Sequence, residues 1–229
     1  HARYSFRYRI NLIVQLLRIV EHTHQARVLH RDIKPDNIYI GEHGELYLID
    51  WGIAEDFDVA RDEPVLCGTP MYLSPEQAQA KPLSPSSDVY SVGAVAYELL
   101  CLASSAPPLE SLDELLRALP TFKPSSVDRT FHSAQGYAPS EFGFTIMKAL
   151  ARDPLARFQS AGEMADDLER ALNGQFKVLC PRTFLKYHVV RFSQWIDQRM
   201  LNVTMIYLAL IAALLTLVGV GALIGYWLA

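Results

Sequence analysis

Cysteine is scarce in this chain. Cys67, Cys101 and Cys180 form no close pair and no metal-ligand spacing, so neither a disulfide framework nor a zinc module is indicated, and the three read as reduced cytoplasmic thiols. His22 and His24 are not part of an H-E-x-x-H arrangement, which removes the commonest zinc-hydrolase pattern. Basic excess is also lacking: 21 Lys and Arg stand against 25 Asp and Glu, a formal net charge of −4 that gives no support for nucleic-acid binding. Charge of either sign is missing altogether from Met200 to Ala229. That segment raises the apolar share of the 229 residues to 50%, and the remaining length is enough for one sizeable core.

What is present is most informative between residues 30 and 52. His30-Arg31-Asp32-Ile33-Lys34-Pro35-Asp36-Asn37 is followed by Asp50-Trp51-Gly52, so carboxylates, an ammonium and an amide are set at short fixed intervals. Mg²⁺ is a hard ion that takes oxygen ligands, and the side chains of Asn37 and Asp50 both offer oxygen. Ile38-Tyr39-Ile40 and Leu46-Tyr47-Leu48-Ile49 read as short strands around the turn Gly41-Glu42-His43-Gly44, a hairpin that brings Asn37 and Asp50 near one another. Upstream, Ile10, Ile13, Val14, Leu17 and Val20 recur at helical spacing and predict an amphipathic helix over residues 6–26.

These motifs resemble those of the serine/threonine protein kinase family: an HRDxKxxN loop, then a DxG triplet. The resemblance implies a kinase-like C-terminal lobe, mainly α-helical, with a small β-hairpin at the active site. It implies that Asp32 accepts or orients the proton of a substrate hydroxyl and that Lys34 neutralises charge on the transferred phosphoryl group. Asn37 and Asp50 would hold the Mg²⁺ (or Mn²⁺) that bridges the ATP phosphates. Tyr39 falls where relatives place an aliphatic residue against adenine, and Trp51 replaces the usual phenylalanine before Gly52. Gly68-Thr69-Pro70-Met71-Tyr72-Leu73-Ser74-Pro75-Glu76 is similar to the end of an activation segment, with Thr69 in the substrate loop. By the same resemblance Glu76 pairs with Arg157 in a buried structural ion pair; free surface charges are the alternative. Asp88 would accept backbone hydrogen bonds from the His30-Arg31 region, a role compatible with simple capping of the helix it opens.

One departure concerns regulation. No serine, threonine or tyrosine lies between Gly52 and Thr69, although in relatives an arginine placed like Arg31 receives a phosphate there. Asp56, Asp58, Asp62 or Glu63 would supply a permanent carboxylate partner for Arg31 instead; a merely solvated acidic loop is the other reading.

Residues 1–173 are expected to be a partial catalytic domain. The small lobe, with its glycine-rich loop and strand lysine, does not fit before the first helix, so the chain reads as the back part of a longer protein and as inactive alone. Leu112, Leu115, Leu116 and Leu119 predict a short helix, residues 120–138 a loop, and Phe142–Leu150 and Ala161–Leu172 two further helices with Gly174 as a stop. Residues 174–199 read as a basic, aromatic-bearing juxtamembrane linker. Met200–Ala229 reads as a transmembrane segment, since ~1.5 Å per residue carries it across a ~30 Å hydrocarbon layer. Arg182, Lys186, Arg191 and Arg199 before the span favour a cytoplasmic kinase domain. The Gly221–Gly225 spacing suggests homodimerisation. The layout resembles bacterial membrane-anchored receptor-like kinases that phosphorylate serine or threonine of a protein substrate. A noncatalytic pseudokinase or membrane scaffold, and a small-molecule phosphotransferase, are the alternatives.

Overall fold

The computed structural model describes residues 5–57, 66–108, 111–175 and 181–198, together with Tyr207, Leu210, Ile211 and Thr216. The chain divides into two compact units, residues 1–177 and 178–229.

The first unit is built on helices. Helix α1 (Phe6–Gln25) starts where the Ser5 hydroxyl accepts the Tyr8 amide at 3.2 Å, and it buries Ile10, Ile13, Leu16, Leu17 and Val20 along one face. Strand β1 (Val28–Leu29) follows and pairs antiparallel with β4 (Glu55–Asp56). Strands β2 (Ile38–Ile40) and β3 (Leu46–Leu48) form the expected hairpin, in the register Ile38–Leu48, Tyr39–Tyr47 and Ile40–Leu46. The second strand stops one residue earlier than its apolar run. There the Ile49 amide turns to the Asn37 carbonyl at 2.9 Å, and Asp50 enters the left-handed region at φ 63°.

Helix α2 (Pro75–Ala78) is a single turn fixed by reciprocal bonds between Ser74 and Gln77. Helix α3 (Pro85–Cys101) is buried at every residue from Ser86 to Tyr97, which is why it carries no amphipathic stripe. Against it pack α1 and α5 (Gly143–Ala149), while α6 (Ala161–Leu172) lies on α1. The main core joins Leu16, Leu17, Ile33, Val92, Ile146 and Leu168. A smaller cluster of Leu73, Ala106, Leu115 and Leu119 sits under α4 (Leu112–Ala118). Glu21 on α1 accepts the Gly162 amide at 2.8 Å, placing a carboxylate on the first turn of α6.

One expectation needs correction. Residues 120–138 are not only loop: Phe131–His132 (β5) pairs with Gly136–Tyr137 (β6), a two-rung hairpin too short to leave a strand pattern in the sequence. Within residues 174–199, expected to be a linker, Pro181–Gln198 form helix α7, which no interior Gly or Pro interrupts. Met200–Ala229, including Gly221 and Gly225, lies outside the described residues apart from four isolated positions. Among the described residues no helix is long and apolar enough to cross a membrane.

Gly93 marks a close helix crossing. A Cβ there would lie 2.9 Å from Ala149 Cβ, so α3 and α5 are as close as their backbones allow. Replacing Gly93 by Val is expected to lower stability by about 1–3 kcal/mol through overpacking, read as an earlier urea-unfolding midpoint than that of the parent chain.

Candidate active site

The site is assembled from the loop between β1 and β2, the turn after β3, and the segment entering α2. Its anchor is Asp88, in the first turn of α3 and almost fully buried. One carboxylate oxygen accepts the Arg31 amide at 3.0 Å; the other accepts the His30 amide at 2.9 Å and contacts His24 Nε2 at 2.8 Å. These contacts hold Arg31 at φ 71°, a conformation costly for a residue with a Cβ. The His30 ring is itself buried, with Nδ1 accepting the Asp32 amide at 3.3 Å and Nε2 donating to the Ile49 carbonyl at 3.1 Å. It therefore ties the loop to the end of β3. Trp51 covers that ring edge-on at 4.5 Å between centroids and donates its indole N–H to the Leu48 carbonyl.

Asp32 is the convergence point. Its Oδ1 accepts both the Thr69 amide, at 2.8 Å, and the Thr69 hydroxyl, at 2.7 Å. Its Oδ2 receives Lys34 Nζ at 2.8 Å and Asn37 Nδ2 at 3.2 Å. Lys34 Nζ also reaches the Thr69 hydroxyl oxygen at 2.8 Å. Burial pushes the Asp32 carboxyl up, but the hydrogen bonds and charge from Lys34 and the bonds from Thr69 outweigh it and leave the group below its ordinary value. The bond to Asp32 holds the Lys34 ammonium above its ordinary value, against a smaller opposing effect of desolvation. Near neutral pH the pair is a carboxylate and an ammonium.

Gly68 lets Thr69 come this close. It sits at φ 107°, and a Cβ on it would fall 2.8 Å from the Arg31 carbonyl oxygen. The same carbonyl accepts Gln77 Nε2 at 2.9 Å, so α2 is stitched to the loop as well.

The amide nitrogen of Asn37 faces two acceptors, the Asp32 carbonyl at 2.8 Å and the Asp32 carboxylate, so its oxygen is directed elsewhere. Asp50 is exposed, and Oδ1 makes a long 3.4 Å contact with the Gly52 amide. An amide oxygen and an exposed carboxylate, on either side of one hairpin, fit a small divalent cation. Among the described residues no cluster of three or more His, Cys, Asp or Glu side chains offers a different metal site. Tyr39 lies on the outward face of the hairpin beside Tyr47, 66% exposed.

Among the described residues Arg31 meets a carboxylate that the expectation did not name. Its guanidinium meets Glu55 at 2.5 Å, the Ile53 carbonyl at 3.4 Å and Cys67 Sγ at 2.6 Å. Glu55 wins because the β1–β4 pairing fixes it opposite Leu29, two residues from Arg31, whereas Asp56 pairs opposite Val28, one residue further from the loop. Asp58, Asp62 and Glu63 lie outside the described residues. Sequence reasoning also missed His24 and Gln77. For His24 a signal existed: a polar residue continuing the stripe Ile13, Leu17 and Val20 must face the interior and find a partner there.

Glu76 and Arg157 form a buried, two-pronged pair with both N···O distances at 2.7 Å. The remaining guanidinium donors go to the Ala151, Ser86 and Arg152 carbonyls, and the Ser87 hydroxyl donates to Glu76 at 2.7 Å. Below the guanidinium, 4.9 Å from its carbon, is the ring of Tyr90, whose hydroxyl burial pushes up to about 12.

A helical lobe that presents an Asp–Lys–Thr triad beneath a small hairpin defines a protein with the phosphoryl-transfer lobe of the protein kinases. Comparison with known proteins agrees: the protein kinase domain matches residues 2–164, and the chain belongs to that family. A probable serine/threonine-protein kinase of Streptomyces coelicolor is 33% identical over 178 residues, 72% of this chain and 24% of the relative. Serine/threonine-protein kinase PknB of Mycolicibacterium smegmatis is 33% identical over 170 residues, 72% of this chain and 26% of the relative. PknD of Protochlamydia amoebophila is 29% identical over 192 residues, 75% of this chain and 19% of the relative. The chain thus spans about a quarter of the length of these curated relatives or less. In fold it is similar to a solved structure of the Cydia pomonella granulovirus kinase PK-1, with TM-score 0.55 and 21% identity, covering 68% of this chain and 55% of that one.

Burial pushes the Glu76 carboxyl up, yet the Arg157 bonds and charge, with the Ser87 hydroxyl, hold it below its ordinary value. Its contribution to stability is therefore complete above the unfolded-state carboxylate range near ~4.3 and is lost as pH falls through the lower folded value. Glu76→Gln is expected to cost about 3–5 kcal/mol near neutral pH by stranding the guanidinium. The gap between the two urea midpoints should narrow as the medium is made acid.

Proposed function

We propose that this chain is the large lobe of a serine/threonine protein kinase that, together with a small lobe, transfers the γ-phosphoryl group of ATP to a protein hydroxyl. The observation that carries the reading is the fourfold engagement of Asp32 by Thr69, Lys34 and Asn37. A carboxylate held below its ordinary pKa is a weak base, so Asp32 acts first by accepting the substrate O–H and aiming its oxygen. It takes the proton only as that oxygen loses electron density to phosphorus and becomes acidic. Lys34, which already spans Asp32 and Thr69, sets a fixed positive charge where the transferred oxygens gather negative charge. Thr69 closes the floor of the acceptor side and, by its two bonds, prevents the carboxylate from rotating away. Asn37 and Asp50 would hold the Mg²⁺, which supplies charge neutralisation at the phosphates when bound. Tyr39 and Tyr47 offer exposed ring surface on the hairpin, suited to adenine and to the small lobe above it.

The sequence supports tethering to a bacterial cell membrane. Charge-free Met200–Ala229 would cross once, with the lobe on the cytoplasmic, ATP-bearing side; a paired Gly221–Gly225 contact between two copies is compatible with that span.

Asp32→Asn in the full-length protein is expected to abolish Mg-ATP-dependent phosphorylation of serine and threonine while ATP affinity persists. Unchanged phosphorylation would remove Asp32 from the mechanism, and undetectable transfer by the parent protein would favour the pseudokinase reading. Thr69→Val, which keeps the shape and deletes the hydroxyl, should lower kcat by ~10- to 100-fold with a smaller change in KM for ATP, the size expected for one misaligned catalytic contact. For the span, alkaline carbonate is expected to leave the protein in the membrane pellet, and release into the supernatant would reject it.

A further inference from the structure

Helix α7 has a feature that phosphoryl transfer does not use. Phe184, His188, Phe192 and Trp195 follow one another at helical spacing, and Leu185 and Val189 widen the row into one continuous side. That side faces out: Phe184 is 55% exposed, Leu185 66%, Val189 59% and Phe192 62%. Its rings are mutually ordered, with Phe184 edge-on to His188 at 4.4 Å and Phe192 stacked on Trp195 at 6.1 Å and 16°. So large an exposed apolar row has a partner when the protein works.

We propose that α7 lies in the plane of an anionic lipid surface, its aromatic side sunk to the headgroup level. Three observations select lipid as the occupant. At 18 residues α7 is about 27 Å long, short of a ~30 Å hydrocarbon layer, and Arg182, Lys186, Arg191 and Asp197 interrupt it, so an in-plane position is the one that keeps its charges in water. By helical position Lys186 and Arg191 border the apolar side on opposite edges, where their stems can lie along it and their charges meet lipid phosphates. Phe and Trp are the side chains that settle at a membrane interface. The charge-free Met200–Ala229 run begins two residues after the helix, so lipid is close at hand on the span reading, although an in-plane helix does not require it.

The test uses the full 229-residue chain in vesicles of phosphatidylcholine, with or without phosphatidylserine, and lipids brominated at different depths. The chain has three tryptophans, Trp51, Trp195 and Trp227, so W51F/W227F leaves Trp195 as the reporter and W51F/W195F leaves Trp227. Trp195 should be quenched most by shallow bromines, about 5–10 Å below the headgroups, and shielded from aqueous acrylamide. K186Q/R191Q should lower the lipid-contacting fraction on phosphatidylserine vesicles by about fivefold per charge and leave it unchanged on phosphatidylcholine alone. F184D/V189D should return Trp195 to solvent while far-UV circular dichroism stays the same. Trp195 equally open to acrylamide with and without lipid overturns the proposal. So does Trp195 shielded from acrylamide yet untouched by any brominated lipid, the result expected if the row packs on protein. Trp227 reports on the span separately: deep quenching supports it, and absence of quenching rejects the span while the Trp195 signal still decides the position of α7.

Discussion

The backbone of the candidate site hangs on the carboxylate of Asp88. A buried charge is costly unless its hydrogen-bonding capacity is filled, and this one is filled by His24 and by the amides of His30 and Arg31. The two amides can both reach it only if the chain turns sharply at Arg31, which takes up φ 71°. That turn in turn aims Asp32 away from the core and towards Thr69 and Lys34. The central helix thus does not merely fill the lobe; its first turn sets the backbone conformation from which the site projects.

The chemistry follows from crowding donors around one carboxylate. Bonds from Lys34 and Thr69 hold the Asp32 carboxyl below its ordinary pKa, and with Asn37 they fix its orientation. The donors arrive from separate stretches of chain, Lys34 and Asn37 from the loop itself and Thr69 from a segment more than thirty residues on. Gly68 permits that approach by lacking a Cβ against the Arg31 carbonyl. The ion pair of Glu76 and Arg157 fixes the next few residues, since every N–H of its guanidinium is used. The segment from Thr69 to Glu76 is therefore held between two fixed points, Asp32 and Arg157.

Legibility in the sequence tracks the range of the interaction. Helix α1, the β2–β3 hairpin and the last helix of the lobe are readable because apolar spacing and glycine turns are local signals. Asp32, Lys34, Asn37 and Asp50 are readable as a set because their spacing is shared with a known family, and the geometry brings the first three into contact. The long-range contacts of His24 and Gln77 escape such a reading: the helical stripe places His24 inward and Ser74-x-x-Gln77 reads as a capping box, but neither pattern names a partner tens of residues away. The β5–β6 hairpin makes only two residue pairs, below what alternation can signal. Helix α7 reads as linker because its aromatic and basic residues draw attention to composition, although no glycine or proline interrupts it.

The pairing of Arg31 shows why composition alone misplaces a contact. Five acids are available in the loop after Gly52, Glu55 among them, and any of them satisfies the chemistry of a guanidinium. Position is decided by backbone: β4 runs antiparallel to β1, so Glu55 is set opposite Leu29 and its side chain reaches Arg31. With that carboxylate, the Ile53 carbonyl and Cys67 gathered on one guanidinium, Arg31 is held by the start and the end of the same segment. A phosphate added to that segment would have to compete with Glu55 at 2.5 Å rather than fill a vacancy, and no hydroxyl between Gly52 and Thr69 exists to carry one.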